Sequence, residues 1–311
     1  MSMLRNITCG LRSLFRTEQV DQELDEGFAL RTHHTPSGTL SDAHREKHPG
    51  DVADAIIGAT CAHKSQPMRL LELGAGTASK TAVLLDAAAR LQSEVVYIPV
   101  DVACAARNMA RETITSAFPK VRVDPIVANY VIAPSQFECF NGRTLAIYIG
   151  SSIGNFSPEE ARTILQNLKA QLEAGDALLL GTDLVKDEST LVAAYDDRNG
   201  VTAEFNLNIL QRLNRELGAD FDPDSFRHRA LWNCAESRIE MHLESMREQR
   251  VRIAATDVDL RFAKSETIHT ENSYKFTPGT IRILLEDAGF CVDHTWTDER
   301  RWYAVTLARI R

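Results

Sequence analysis

Residues 69–80, which read Arg-Leu-Leu-Glu-Leu-Gly-Ala-Gly-Thr-Ala-Ser-Lys, constrain this chain more than any other stretch. The apolar run Leu70 to Leu73 predicts a buried strand, and Val83, Leu84 and Leu85 continue a helical pattern. Between them stand two glycines one residue apart, followed by Thr77. A strand, a tight glycine turn and a helix N-terminus together make a cofactor cradle. Gly74 can take a positive φ, and Gly76 has no Cβ to keep a ligand off the backbone. Glu72, Gly74, Gly76, Thr77 and Lys80 are the candidate cofactor residues of this stretch. The pattern G-x-G-x-x-S lacks the third glycine of a dinucleotide fingerprint, which disfavours a nicotinamide enzyme.

The 311 residues suit a core domain with an insertion, and 44% hydrophobic content supplies a sizeable core. A net charge of −8 argues against nucleic acid as the main partner, because phosphate binding needs a basic footprint. Six cysteines, Cys9, Cys61, Cys104, Cys139, Cys234 and Cys291, are scattered with no C-x-x-C pair, as expected of reduced thiols in a cytoplasmic protein. No apolar run reaches the roughly 18 residues of a membrane span. Met1 to Arg16 carries three arginines and no acid; it reads as an amphipathic arm packed on the domain, with a transit peptide as the alternative. His44 and His48 would share a helix face, but the intervening Glu46 is misplaced for H-E-x-x-H, and no metal site is expected.

From residue 69 onward strands and helices alternate. Strands are expected at Leu70–Leu73, Val95–Val100, Val121–Val127, Thr144–Ile149 and Ala177–Gly181. Helices are expected at Asp51–Ala62, Thr77–Leu91, Ala103–Ser116 and Pro158–Leu172, the last with Ser157 as N-cap and Glu160 completing a capping box. Asp101 ends the second strand, about 25 residues past the glycine loop, where a carboxylate can accept from ribose hydroxyls. The rhythm breaks after Asp183. Helices Glu188–Ala194 and Thr202–Gly218 precede strand-like runs at Ala230–Trp232, Ile239–Met246 and Val251–Ile253. Helix Pro278–Ala288 and strands Phe290–Thr295 and Trp302–Ala308 close the pattern. The expectation is an α/β fold, a doubly wound, mostly parallel sheet built from 61–183 and 276–311, with an inserted α+β module at 184–275 and an N-terminal segment at 1–60 packing with that module. The insertion and the N-terminal segment are expected to serve the substrate.

Several stretches carry a family resemblance. Glu72 before Gly74 and Gly76, as E-x-G-x-G, resembles motif I of S-adenosylmethionine (SAM) methyltransferases; a methionine ammonium seeks a carboxylate. Gly150-Ser151-Ser152-Ile153-Gly154-Asn155 resembles the G-x-x-I-G-N loop of the histidine-specific SAM-dependent methyltransferases. Thr182 to Asp187, Asp220 to Pro223, and Thr270 to Phe276 are similar to that family in the same order, so the resemblance covers about residues 68 to 310. It implies a Rossmann-like fold, SAM as cofactor, and N-methylation of the α-amino group of free histidine or a close imidazole-bearing analogue, a small-molecule partner. It also implies that Asn155 and Tyr195 hold the substrate's amino and carboxylate groups and serve catalysis, that Glu271 and Ser273 face the imidazole, and that Gly150 and Met241 line the pocket. Asn129 and Tyr130 stand where the family has Asp-Phe or Asp-Tyr at the adenine; the Asn129 amide oxygen still accepts. A second departure is the absence of any tyrosine from Phe28 to Gly50, where the family carries a tyrosine-bearing motif. Another amine substrate, such as a tryptophan derivative, and a non-catalytic SAM-binding role are the rival readings; the number of methyl groups and the oligomeric state stay open.

Overall fold

The computed structural model describes residues 49–310 apart from 62, 64, 76, 77, 79, 102, 103 and 129–139. Gly76, Thr77, Asn129, Tyr130, His44 and His48 therefore lie outside the described residues, as do the N-terminal arm and the rest of the 1–60 segment up to residue 48. The chain divides into two compact units. Lys186–Tyr274 belong to one; the described residues up to Val185 and from Lys275 belong to the other.

The larger unit holds α1 (Pro49–Thr60), β1 (Met68–Leu73), α2 (Ala82–Leu91), β2 (Val95–Asp101), α3 (Cys104–Ala117), β3 (Val121–Val123), β4 (Ile126–Val127), β5 (Arg143–Tyr148), a 3-10 turn (Ser152–Asn155), α4 (Pro158–Lys169) and β6 (Ala177–Asp183). Its sheet runs β12 (Phe290–Thr297), β13 (Tyr303–Ile310), β6, β5, β1, β2, β3, with β4 also on β2. Strands β3, β2, β1, β5 and β6 are parallel, whereas β13 runs antiparallel to both of its neighbours, β6 and β12. This is the expected doubly wound, mostly parallel sheet. Every residue of β1 and β2 is buried, so both strands are near-continuous apolar runs rather than alternating ones. Parallel strands put the ends of β1, β2, β5 and β6 on one edge, the edge that carries ligands in such sheets.

Three differences from the sequence reading have local causes. The run Val121–Val127 splits into β3 and β4 at Asp124-Pro125, because proline has no N–H for the ladder. Helix α2 begins at Ala82 rather than Thr77, because Ala78 adopts a left-handed φ of 56° and stops the helix from starting earlier. Two further strands, β10 (Val258–Phe262) and β11 (Thr267–Tyr274), occupy a stretch with no expected element. Strand β10 alternates Val258, Leu260 and Phe262 with charged Asp259 and Arg261, a pattern too short to stand out among its polar neighbours.

The smaller unit has its own core. Helices α5 (Glu188–Tyr195) and α6 (Val201–Leu217) accompany an antiparallel sheet β11-β8-β7, with β7 at Phe226–Asn233 and β8 at Arg238–Ser245, and a ribbon of β9 (Gln249–Ile253) with β10. Phe221, Phe226 and Phe262 meet leucines of α6 there, and the rings of Phe226 and Phe262 pack edge to face at 5.5 Å. The remaining helix, α7 (Pro278–Asp287), returns to the larger unit with a Thr277 cap.

Candidate active site

The glycine turn follows directly from β1. Gly74 takes φ 65°, which only glycine adopts without cost, and its N–H donates to Val100 O at 2.9 Å, so the turn is tied to the end of β2. Beneath it lies Glu72, 4% exposed. The Thr81 hydroxyl donates to its Oε1 at 2.5 Å, and the Tyr97 phenol donates to its Oε2. Burial pushes the Glu72 carboxyl up to about 7, against the hydrogen bonds from Thr81 and Tyr97 and the charge of Lys80, while Asp101 adds to the rise. Burial likewise draws the Lys80 ammonium down, and Glu72 opposes it. The structure therefore gathers Glu72, Lys80 and Asp101 into one charged group at the ends of β1 and β2. Both oxygens of Glu72 already accept, so one of its tasks is to hold the start of α2 and the middle of β2 against the glycine turn. A buried carboxylate at each of two adjacent strand ends, beside a left-handed glycine, fits a ligand that brings an ammonium and ribose hydroxyls.

Asn155 ends the 3-10 turn after β5 and is half-buried. The loop leading to it is anchored along its length. The buried Tyr303 phenol donates to Ile149 O, and burial then the Asp183 charge push that phenol up. Gly181 leaves the space this needs, since a Cβ there would collide with the phenol oxygen and the Ile149 backbone. Gly150 is exposed. Ser151, at φ 59°, accepts on Oγ from the Asp183 N–H at 2.9 Å. Asp183 in turn pairs with Lys275 Nζ at 2.8 Å, where the lysine side chain is 1% exposed. The Asp183 side chain is 19% exposed, so the lysine is the buried partner, and removing the aspartate would strand its ammonium.

In the smaller unit, Tyr195, Met241, Glu271 and Ser273 come together although they are scattered in sequence. Met241 pairs with Glu271 and Ile239 with Ser273 across β8 and β11, which puts these side chains on one face. Tyr195 at the end of α5 lies over that face, its phenol oxygen 2.7 Å from Ser273 Oγ. His228 fixes the end of α5. Its Nε2 lies 2.7 Å from Tyr195 O, and a carbonyl only accepts, so Nε2 carries the proton and Nδ1 accepts from Asn206 at 2.9 Å.

Residues 47–310 match the family described as histidine-specific methyltransferase, SAM-dependent. The chain belongs to this family. It is 43% identical to a histidine N-alpha-methyltransferase of Mycolicibacterium smegmatis over 239 residues, 77% of this chain and 74% of that one. It is 40% identical to the histidine N-alpha-methyltransferase of Mycobacterium tuberculosis over 266 residues, 85% of this chain and 83% of that one. A solved SAM-dependent methyltransferase from Clostridium acetobutylicum overlays with a TM-score of 0.45 at 11% identity, covering 87% of this chain and 96% of that one.

Within this SAM-dependent methyltransferase, sequence reasoning gave no role to the residues that support the site, Thr81, Tyr97, His228, Asp183 and Lys275, although the last two lie in the stretches Thr182 to Asp187 and Thr270 to Phe276 that carry the resemblance. Tyr97 sits in the apolar run Val-Val-Tyr-Ile-Pro-Val and reads as core until β1 is paired beside it. Among the described residues, Glu240, His242 and His269 bring possible metal-ligand atoms within 4.8 Å of one another. Their partners favour a hydrogen-bonded network. The two rings stack at 4.6 Å, and Glu240 Oε1 already accepts from Asn233 at 2.8 Å and Arg238 at 2.7 Å. Burial pushes the Glu240 carboxyl up, yet the hydrogen bonds from Asn233, Arg238 and His242 outweigh it and hold it at about 2. A guanidinium on the carboxylate repels a further cation. No helix among the described residues is long and apolar enough to cross a membrane.

Proposed function

We propose that this methyltransferase adds methyl groups to the α-amino nitrogen of free histidine or a close imidazole-bearing analogue. The observation that carries the reading is the polar face of Tyr195, Ser273 and Glu271 beside Met241, in a chain that shares 40–43% identity with two proteins named for this reaction. In this reading Glu271 accepts from an imidazole N–H, Ser273 adds a second polar contact, and Met241 supplies a polarisable apolar wall. Tyr195 donates to the substrate carboxylate, and Asn155 accepts from the amine and orients it. Lys186–Tyr274 then serve as the substrate module. Asp101 holds the ribose hydroxyls, while Glu72 and Lys80 balance charge under the glycine turn. The scattered cysteines support a cytosolic location, and the net charge of −8 argues against a nucleic-acid partner.

SAM, when bound, supplies an electrophilic methyl group with a neutral thioether as the leaving group. The chain's own contribution is mostly positioning of the amine for in-line attack. The substrate amine is largely protonated at neutral pH, so the site must take up one proton before attack. The paired hydroxyls of Tyr195 and Ser273, 2.7 Å apart, offer a path that relays that proton onward to solvent.

Replacing Glu271 with Ala tests the assignment. Transition-state binding of histidine should weaken by roughly 2–4 kcal/mol, and that of tryptophan by far less, because an imidazole can protonate and offer Glu271 a charged donor, whereas indole offers a single neutral one. Turnover of both amino acids by parent and variant gives the ratio. An unchanged ratio would remove Glu271 from the imidazole pocket.

A further inference from the structure

We propose that Lys275, Asp183 and Ser151 form a positioning relay that fixes the Ser152–Asn155 turn. The consequence for the substrate amine rests on the role proposed above for Asn155. All of these residues belong to the larger unit.

The relay is built from three contacts on Asp183, the last residue of β6. Its carboxylate meets Lys275 Nζ at 2.8 Å, its carbonyl accepts from the Phe276 N–H at 2.9 Å, and its own N–H donates to Ser151 Oγ at 2.9 Å. Residues 275 and 276 thus hold Asp183 at both its side chain and its carbonyl. The third contact passes that constraint to Ser151. Ser151 is not glycine, yet its φ is 59°, and a side-chain-bearing residue keeps such a backbone only when its surroundings impose it. Its carbonyl accepts from the Gly154 N–H at 3.0 Å, closing the turn. Ile153 and Gly154 are buried, so the turn cannot slide to relieve the strain. Asn155 stands at its end.

A charged pair this buried is a costly way to gain stability alone, since a well-packed apolar pair often serves equally well. A pair whose backbone carries a specific bond to a strained residue has a reason to be ionic: the charge fixes the direction of the Asp183 peptide. Neither Lys275 nor Ser151 touches the substrate in the proposed reading, so both are positioning residues.

The test uses Ser151→Gly, which keeps the left-handed backbone and deletes the Oγ acceptor, and Lys275→Met, which keeps the stem and deletes the charge. If Lys275→Met does not fold, the neutral combination Asp183→Asn with Lys275→Met replaces it, since asparagine retains the backbone N–H. The first readout is amide hydrogen exchange over residues 152–156 without substrate. Each variant should speed exchange there by about tenfold or more. The second is steady-state kinetics with histidine. Each variant should lower kcat by about tenfold or more, through misplacement of Asn155, with SAM affinity by calorimetry within about twofold. Combining Ser151→Gly with Lys275→Met (or with its replacement) should lose no more than the worse of the two alone, as expected of groups acting in series. Unchanged exchange in the turn of folded variants, or losses that multiply in the combination, would overturn the relay. A parent enzyme inactive on histidine would instead count against the proposed substrate, and the exchange measurement would still decide the relay.

Discussion

At neutral pH the Glu72 carboxyl sits near the middle of its titration, because burial lifts it from 4.5 to about 7. Between those values the folded chain holds a proton that the unfolded chain has released. Stability therefore falls as pH rises from about 4.5 to about 7 and is flat beyond, as far as this group decides it. Glu72→Gln removes the titration while keeping an acceptor for Thr81 or Tyr97. Urea midpoints from pH 5 to 8 should show a shallower decline in the variant; an equal decline would mean that another group sets the slope. Asp101 is a separate case. Asp101→Ala should weaken SAM binding by about 1–3 kcal/mol, through lost charge-assisted hydrogen bonds to the ribose, as read by calorimetry. Binding of undiminished strength would take Asp101 out of the cradle. Glu72 and Asp101 were legible in the sequence because the strand pattern alone puts one acid just before the glycine turn and the other at a strand end. Thr81 and Tyr97 were not. Their hydroxyls gain meaning only once β1 lies beside β2 and puts Glu72 within reach, and no one-dimensional pattern encodes that reach.

Among the elements, α4 was the most legible. Ser157 accepts from the Glu160 N–H, and Glu160 returns a bond from the Ser157 N–H at 2.9 Å, the reciprocal cap that Ser-Pro-Glu-Glu announces. Ser157→Ala should cost about 1 kcal/mol, seen as a lower denaturation midpoint with activity retained in the remaining folded protein. A loss of activity without loss of stability would instead tie the cap to the Asn155 turn just before it. Helix α2 was less legible at its start. Leucines and alanines give its body, but the left-handed Ala78 and the diversion of the Thr81 hydroxyl to Glu72 set where it begins. Strand β11 had no visible alternation to mark it: six of its eight residues are Thr, His, Thr, Glu, Asn and Ser, and a bulge between His269 and Glu271 resets its register. That bulge brings Glu271 opposite Met241, so an irregularity hidden from pattern reading puts a proposed specificity residue in its place.

For the molecule as a whole, alternating apolar strands and capped helices announced the doubly wound sheet, and the order of motifs from the glycine loop to Thr270–Phe276 announced the family. Substrate choice was harder to read, because Tyr195, Met241, Glu271 and Ser273 are separated by up to 78 positions and meet only through sheet register and the packing of α5. Histidine N-methylation is the central claim. Its most direct test incubates the protein with SAM and, in parallel, histidine and tryptophan, and follows the mass of each product with the modified atom located by fragmentation. The account predicts that histidine gains one or more methyl groups on its α-nitrogen while tryptophan is turned over far more slowly. Methylated tryptophan without methylated histidine, or methylation of the imidazole ring, would contradict it.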